Sequence, residues 1–352
     1  MKLFYLTSSD LKAMPANAVQ TTNMTKAFLN IGCSVKYFVK ETSHYYPNGL
    51  MWSDVLLLLH ILVFKIFNFK DNIFIHSRDR NKLAITLAFL GFKVGIEFHN
   101  LKRLNSFETF VLRFLIKKGG VKLFFTSKTL YDRFIFTNFQ GTSLPYTKLE
   151  NAAPENLIKQ VLHEPINNKN LSFAMVSNKR IGKGQEKIHQ LSQLYPDYKF
   201  TIVGPTLSII KKTKNLNLIG KINNDELFTY LKDADVLLAL IDKKMEVAGG
   251  RFEDGDLACP LKIFEYLALA KPIIMSKRTA MIELFSFLPG VWFVSDDLSD
   301  FNFVVNEIQK LDKIELKNIQ SSHKEFINNL SWENRAKLVL SVLNEKNISG
   351  RI

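Results

Sequence analysis

Three stretches of the chain put reactive side-chain types where a folded backbone could use them. The first is Asn178 to Gly184 (NKRIGKG), in which Lys179, Arg180 and Lys183 crowd a glycine-containing loop between the apolar run LSFAMVS and the amphipathic run QEKIHQLSQLYP. A strand, a basic loop and a helix N-terminus make a phosphate site, because backbone N–H groups and cationic side chains converge on one anion. The spacing is not the GxxxxGK[ST] of a P-loop.

The second stretch, Cys259 to Ser276 (CPLKIFEYLALAKPIIMS), sets Lys262 and Glu265 in a mostly apolar helix ahead of a buried strand, Ile273-Ile274-Met275. Pro260 suits the first turn of that helix and Lys271-Pro272 stops it. A carboxylate near the start of such a helix either finds hydrogen-bond donors, for which ligand hydroxyls serve, or sits at the surface stabilised by the helix dipole. The third feature is a pair of strand ends, IHSRD (His76, Ser77, Arg78, Asp79) and EFHN (Glu97, His99, Asn100). Ligands of open α/β sheets sit outside the carboxyl ends of strands, so these polar residues are candidates for binding rather than packing.

The scaffold that must hold these residues is legible as a regular alternation. KLFYL (Lys2 to Leu6) reads as a strand, followed by a polar loop from Thr7 to Pro15 and a helix capped by Asn17 and ended by Gly32. SVKYFV, NIFIHSRD, KVGIEFHN and VKLFFTS read as further strands, separated by helices over Trp52 to Asn68, KLAITLAFLG and SFETFVLRFLIKKGG, the last opened by Ser106. The first loop has no glycine fingerprint, so a dinucleotide site is not expected there. The polar run HEPINNKN (His163 to Asn170) is a joint, and a second α/β run follows, with one strand closing at Gly204-Pro205. Asp242 to Ala258 is a long polar segment, read as a mobile loop; its EDGD run lacks the EF-hand spacing. The expected domains are residues 1–150, a joint over 151–170, residues 171–330, and a terminal helical segment over 331–352.

Composition narrows the class. A chain of 352 residues suits two cores, and 47% hydrophobic content excludes disorder. Cys33 and Cys259 are the only cysteines, with neither metal-ligand spacing nor a disulfide framework, which fits a reducing cytosol. The N-terminal apolar run is too short for a signal peptide, and the longest one, Val55 to Phe69, contains His60 and Lys65 and falls short of a bilayer span. The net charge of +14 is uneven: residues 1–150 hold 20 Lys and Arg against 9 Asp and Glu, the remainder 27 against 24. Such asymmetry is either general solubility charge or a sign that the first half meets an anionic membrane leaflet or a nucleic acid. The aromatic, basic segments Val55 to Lys70 and Lys102 to Lys122 either lie in a membrane interface or are ordinary helices with an apolar face in the core. No nucleic-acid motif is present, so a nucleic-acid partner is not expected.

The stretch CPLKIFEYLALAKPIIM resembles the sugar-donor motif of the retaining glycosyltransferases of family 4, roughly SPLK-aromatic-E-aromatic-hydrophobic-A-x-G-K-P-V-I, with Ala270 where the family usually has Gly. NKRIGKG resembles the family's G-R-x(4–5)-K-G diphosphate loop: Lys183 matches the lysine, while Ser177 stands at the arginine's spacing and leaves Arg180 or Lys179 to substitute. The strand ends are similar to the family's R-D and E-x-H-D. Asn17-Ala18 stands in place of its Gly-Gly pair, Asn151-Ala152-Ala153-Pro154 in place of its N-G-V-D linker, and Trp332 to Ala336 resembles its W-x-x-R-A terminal helix, which packs back on the first domain.

The resemblance implies the GT-B arrangement, an α/β fold of two Rossmann-like doubly wound domains facing a cleft. It implies retaining transfer of a sugar from a UDP- or GDP-linked donor to a cell-surface glycan or lipid-linked acceptor, with no metal and no further cofactor. It gives Lys183, helped by Arg180, the leaving diphosphate; Glu265 the ribose hydroxyls; and Leu261, Lys262 and Gly204 the rest of the nucleotide. His99 falls to the reacting sugar, and Asn17, Arg78 and Asn100 to the acceptor side. The implied location is cytoplasmic, peripheral on the inner face of the plasma membrane where the basic first domain meets anionic lipid. One departure matters: the family's first catalytic-motif glutamate, eight positions before the second, is Leu257 here, and Glu253 and Asp256 are nearby acids. Two rivals follow, a sugar-nucleotide epimerase or phosphorylase on the same fold, and a non-catalytic sugar-donor-binding subunit of a polysaccharide complex. The transferase reading requires Lys183 and Glu265 to converge on one nucleotide.

Overall fold

The computed structural model describes residues 2–7, 16–38, 52–68, 71–78, 80–153, 170–222, 224–247 and 250–345. The chain forms two compact units: Met1–Asn151 with Leu330–Ile352, and Ala152–Asn329. Of the sequence expectations, most of the Thr7 to Pro15 loop, Asp79, Gly249, Pro154 and most of the joint lie outside the described residues.

The first unit runs β1 (Lys2–Leu6), α1 (Ala16–Asn30), β2 (Ser34–Phe38), α2 (Trp52–Phe67), β3 (Ile73–Ser77), α3 (Asn81–Phe89), β4 (Lys93–Phe98), α4 (Ser106–Lys117), β5 (Val121–Phe125), α5 (Lys128–Phe139) and β6 (Thr147–Lys148). Its six strands pair in parallel in the order β2-β1-β3-β4-β5-β6. Every residue of β3 is buried, as expected of a parallel strand covered on both faces. The terminal helix, Trp332–Asn344, packs on α1 and beside β4, and Ser331 caps it by accepting the Asn334 N–H.

The second unit runs β7 (Ser172–Val176), α6 (Gln185–Leu194), β8 (Lys199–Val203), β9 (Leu216–Ile219), α7 (Asn224–Lys232), β10 (Val236–Ala239), a short hairpin of β11 (Lys244–Glu246) and β12 (Phe252–Asp254), α8 (Leu261–Ala268), β13 (Ile273–Ser276), α9 (Thr279–Phe285), β14 (Val291–Val294), α10 (Phe301–Gln309) and α11 (Lys313–Asn328); the terminal helix of the first unit is then α12. The sheet order is β14-β13-β10-β7-β8-β9, again parallel. Its core is one apolar cluster in which Phe173 stacks on Phe200 at 5.1 Å between ring centroids.

Four local expectations change. The first helix opens at Ala16, so Asn17 lies inside its first turn rather than capping it. The cap of α4 is Asn105, not Ser106: its side chain accepts the Glu108 N–H while Glu108 accepts the Asn105 N–H, a reciprocal capping box. Pro260 precedes α8 in extended conformation instead of sitting in its first turn, and α8 ends on Leu269, with Ala270 taking the left-handed φ of +51° that glycine adopts freely. Asp242 to Ala258 is not one open loop, since β11 and β12 pair antiparallel within it and a 3-10 turn follows.

Candidate functional site

From the neighbours β7 and β10 the second sheet builds outward in opposite directions, through β8 and β9 on one side and β13 and β14 on the other. A crevice opens outside the carboxyl ends of strands at such a switch point, and ligands of doubly wound sheets bind there. The loop from Ser177 to Gly184 leaves β7 at that place. Ser177 N–H donates to the Val203 carbonyl at 2.9 Å, and the loop lies on the hairpin, with Asp242 N–H donating to Gly182 O at 3.0 Å and Glu246 N–H to Ile181 O at 2.9 Å. Glycine is required for this approach. Gly184 has φ +96°, and a Cβ there would stand 1.9 Å from the Leu240 carbonyl oxygen; at Gly204, φ +117°, it would stand 2.1 Å from Ser177 O.

Gln185, the first residue of α6, ties the loop to its neighbour. Its buried amide donates to the carbonyls of Asn178 and Pro205, both at 2.9 Å, and accepts the Leu207 N–H at 2.8 Å. Its place directly after Gly184 was the one available signal in the sequence. On the other side, α8 is fastened to the end of β7: Lys262 Nζ donates to Val176 O at 3.1 Å, and the Tyr266 hydroxyl accepts the Val176 N–H at 2.8 Å.

Three cations and one carboxylate gather on this frame. Burial lowers the Lys183 pKa to about 8, with the charge of Arg180 adding to the effect and that of Glu253 opposing it. Burial lowers Lys262 to about 7, with Lys183 adding and Glu265 opposing, so Lys262 feels both groups. Burial raises Glu265 to about 7 against the attraction of Lys262. Glu265 stands at the middle of α8 rather than at its start, which removes the helix-dipole reading. Among the described residues none donates a hydrogen bond to its side chain, and Lys183 Nζ meets only Met245 Sδ, at 3.0 Å. Such groups are built to gain partners: clustered cations for a multiply charged anion, a half-buried carboxylate for a diol. Leu261, half-buried, begins α8 beside them.

The acids near Leu257 divide between two tasks. Leu257 itself is buried in the 3-10 turn, which Asp254 caps by accepting the Asp256 N–H at 3.0 Å. Asp256 lies 3.8 Å from Arg278, part of a fixed network in which Arg278 donates to Ile241 O at 2.9 Å and pairs with Asp296, and Lys187 bridges Asp296 and Asp242 at 2.7 and 3.0 Å. Glu253 is the acid that acts on Lys183. Among the described residues no three His, Cys, Asp or Glu side chains group to hold a metal ion.

In the first unit, Glu97 on β4 is the centre of a buried polar cluster. It meets His76 Nε2 at 2.9 Å, accepts from Gln20 at 3.2 Å and from Arg335 at 2.5 Å, and pairs with His99. Burial pushes the Glu97 carboxyl up, but the positive charge of Arg335 and the interaction with His99 outweigh it and hold the group well below the usual carboxylate range. His99, half-buried past the end of β4, has its pKa lowered by burial and by Arg78, with Glu97 opposing. Arg78 is buried at the end of β3, where its N–H donates to Leu6 O at 3.0 Å, and Asn100 is exposed. The side chain of Asn17 is outside the described residues. The structure thus groups Arg180, Lys183, Lys262 and Glu265 in the second unit, and His99 with Arg78 in the first. Gln20 carried no spacing signal; His76 and Ser77 stood among the strand-end binding candidates and Arg335 in the W-x-x-R-A run, but His76, Ser77 and Glu97 are wholly buried, so they pack within the unit rather than line a binding surface.

No protein-family model matches the chain, and no curated protein matches it in sequence. Solved structures match it along almost its full length. A glycosyltransferase from Rickettsia africae is 13% identical with a TM-score of 0.72 over 99% of each chain. A sucrose-phosphate synthase from Thermosynechococcus elongatus is 12% identical, TM-score 0.65, over 97% of this chain and 98% of that one. HepE from Anabaena, solved in complex with UDP, is 11% identical, TM-score 0.65, over 97% and 99%. At these identities the likeness shows the fold, which is the GT-B fold of two Rossmann-like units.

Proposed function

We propose that the chain is a retaining glycosyltransferase that takes a sugar from a nucleotide-linked donor and passes it to a glycan or lipid-linked acceptor. One observation carries the reading. Arg180 and Lys183 stand in the loop that leaves β7, Lys262 donates to Val176 O at the end of that strand and feels the charge of Lys183, and Glu265, which accepts no hydrogen bond from a described residue, is coupled to Lys262. A nucleoside diphosphate has the complementary chemistry, with an anion for the cations and ribose hydroxyls for the carboxylate. The UDP held by the Anabaena protein of like fold supports a uridine donor.

In this reading Lys183 and Arg180 stabilise the negative charge that grows on the diphosphate as the glycosidic bond breaks, an electrostatic contribution aimed at the transition state. Glu265 fixes the ribose. His99 is the group proposed for the reacting sugar, with Arg78, Asn100 and Asn17 on the acceptor side. The leaving phosphate takes the acceptor's proton on the front face, so no separate base is required, and no metal or other cofactor takes part. The test is a thermal-shift screen of UDP- and GDP-sugars, followed by turnover of the stabilising one. Lys183→Ala is expected to lose about 100-fold or more in turnover while keeping its melting profile without ligand. Turnover at the wild-type level in that variant would remove Lys183 from the mechanism.

A second reading, a sugar-donor-binding subunit without catalysis, is favoured by the burial of Leu257 where the related motif has an acid. Hydrolysis or transfer of the donor by the purified chain excludes it. Stabilisation by a nucleotide sugar without either reaction supports it.

A further inference from the structure

The stability of the first unit does not by itself account for the polar cluster around Glu97. That residue is wholly buried at the penultimate position of β4, and hydrophobic side chains of like volume would join strand to helix without the desolvation of a charge. An ionised carboxylate accepts hydrogen bonds and cannot donate, so each polar group that faces it brings a proton. His76 Nε2 faces Oε2 at 2.9 Å, Gln20 donates to Oε1 at 3.2 Å, Arg335 donates to both oxygens, and His99 Nε2 meets Oε1.

The two histidines beside the carboxylate are held differently. His76 is enclosed: its ring stacks on Tyr5 at 5.4 Å, meets Phe28 and Phe124 edge-on at 6.2 and 5.6 Å, and buries an Nδ1 that has no partner among the described residues. The His76 proton is therefore on Nε2, and this ring only donates. His99 is the member that reaches solvent, with 16% of its side chain exposed. Its Nε2 also stands 3.2 Å from the Gln20 amide nitrogen, but a lone pair on Nε2 would face the carboxylate oxygen directly and be repelled. The contact with Oε1 thus puts the proton on Nε2. Nδ1 is then a bare lone pair, and among the described residues it has no hydrogen-bond partner. Burial and the charges of Arg78 and Arg335 lower the His99 pKa against the pull of Glu97, so at neutral pH the ring is uncharged and Nδ1 stays an acceptor.

We infer that Glu97 is a positioning residue for His99, holding the ring's proton on Nε2 so that Nδ1 is presented as a hydrogen-bond acceptor for a substrate hydroxyl. Arg335 belongs to the same arrangement. It donates through Nε to Glu150 O at 2.8 Å while its two other nitrogens reach both carboxylate oxygens, so the cation is fixed and keeps Glu97 charged. The tautomer selects the ligand chemistry: a bare Nδ1 takes the hydrogen of a sugar hydroxyl and has nothing to offer a phosphate oxygen. That the hydroxyl belongs to the reacting sugar rests on the transferase reading, whereas the tautomer does not.

The experiment is heteronuclear NMR of the full chain carrying isotope-labelled histidine, with His99 assigned as the signals lost in His99→Gln. At neutral pH the wild type should show His99 in one dominant tautomer, Nε2 protonated and Nδ1 bare. In Glu97→Gln/Arg335→Met, which leaves no charge unpaired, the amide donates as well as accepts, and both His99 tautomers should appear. With a nucleotide sugar that the wild type turns over, kcat of the double variant should fall about tenfold or more while KM, and affinity for UDP, which carries no sugar, stay within about twofold. Its melting curve keeps a folding defect apart from a loss of orientation, and the wild-type tautomer decides the matter even if the double variant is unfolded. A wild-type His99 with its proton on Nδ1, or with both tautomers equally populated, overturns the inference. So does a folded double variant that keeps the Nε2-protonated tautomer and still loses turnover, because the effect of Glu97 would then be structural. The expected tautomer in a wild type that turns over no UDP- or GDP-sugar would instead count against the transferase reading alone.

Discussion

Arg335 and Glu97 meet 238 positions apart in the chain, the guanidinium Nη2 donating to the carboxylate at 2.5 Å and Nη1 at 3.4 Å while Nε donates to Glu150 O at 2.8 Å. Glu97 is fully buried, so Arg335 is the full positive charge that makes its ionised form tolerable, and the terminal helix is thereby tied to the strand that ends at His99. Arg335→Ala leaves the carboxylate buried with only histidines and Gln20 beside it. The expected loss is about 3–5 kcal/mol of stability, read by urea denaturation. Glu97→Gln in the same background should recover part of that loss, because the uncompensated charge is gone. A loss under about 1 kcal/mol would mean that the pair is solvated and holds nothing together.

The alternation of strand and helix was readable because parallel strands covered on both faces are continuous apolar runs, β3 and β13 among them. The basic loop after β7 was readable as a loop for the same local reason: Lys179, Arg180 and Lys183 lie within five residues of one another, between an apolar strand and an amphipathic helix. What the sequence hid was long-range. Gln20, His76, Glu97 and Arg335 converge only once β1, β3, β4 and α12 are assembled, and nothing in the spacing of single residues encodes a register. The hairpin of β11 and β12 was hidden because two three-residue strands rich in charge have no period long enough to read. The apolar side chains that α2 and α4 expose, Leu56, Leu59, Phe107 and Phe110 among them, belonged to visibly amphipathic segments, but periodicity alone does not say whether an apolar face turns to the core or to solvent.

Glu265 offers a test by subtraction. If it holds the ribose, a nucleotide lacking a ribose hydroxyl loses what the carboxylate supplies. Wild-type protein should bind 2′-deoxy- or 3′-deoxy-UDP about 10- to 100-fold more weakly than UDP, the range of a hydrogen bond to a charged group. Glu265→Gln should weaken UDP by a similar factor and lose most of the discrimination between UDP and its deoxy forms. Calorimetric titration of the four combinations closes the cycle, and full discrimination persisting in Glu265→Gln would take the ribose away from this residue.

The pKa of Lys183, about 8, gives the proposed nucleotide binding a definite pH dependence. A bound diphosphate favours the ammonium, so binding raises that pKa and draws a proton from solution. The Lys183 contribution to affinity is therefore full well below pH 8 and is lost as pH rises through 8, and Lys262, near 7, takes up a proton in the same sense. Glu265, near 7, is largely ionised already at pH 8 and contributes little to the exchange there. Calorimetry of UDP binding at pH 8 in two buffers of different ionisation enthalpy should report net proton uptake, reduced in Lys183→Ala. Net release at that pH would contradict the assignment of Lys183 to the diphosphate.

Gly184 separates the backbone's share of the site from that of the side chains. It sits at φ +96° with no room for a Cβ, since the nearest atom would be the Leu240 carbonyl oxygen at 1.9 Å, and that carbonyl belongs to the chain just past β10. Neither partner is a flexible side-chain tip, so Gly184→Ala must move the loop or the strand end. Backbone strain and steric displacement together are expected to cost about 2–4 kcal/mol. The loop has the weaker hold, and Lys183 precedes the substituted residue, so nucleotide affinity should fall at least about tenfold even under conditions where the variant is fully folded. Gly141, with φ +81° and open space around its Cβ position, is the control: Ala there meets the same kind of conformational penalty without the clash, and it should cost about 1 kcal/mol with no effect on nucleotide binding. Equal losses at the two positions would show that conformation alone, rather than the tight seat of the loop on β10, governs Gly184.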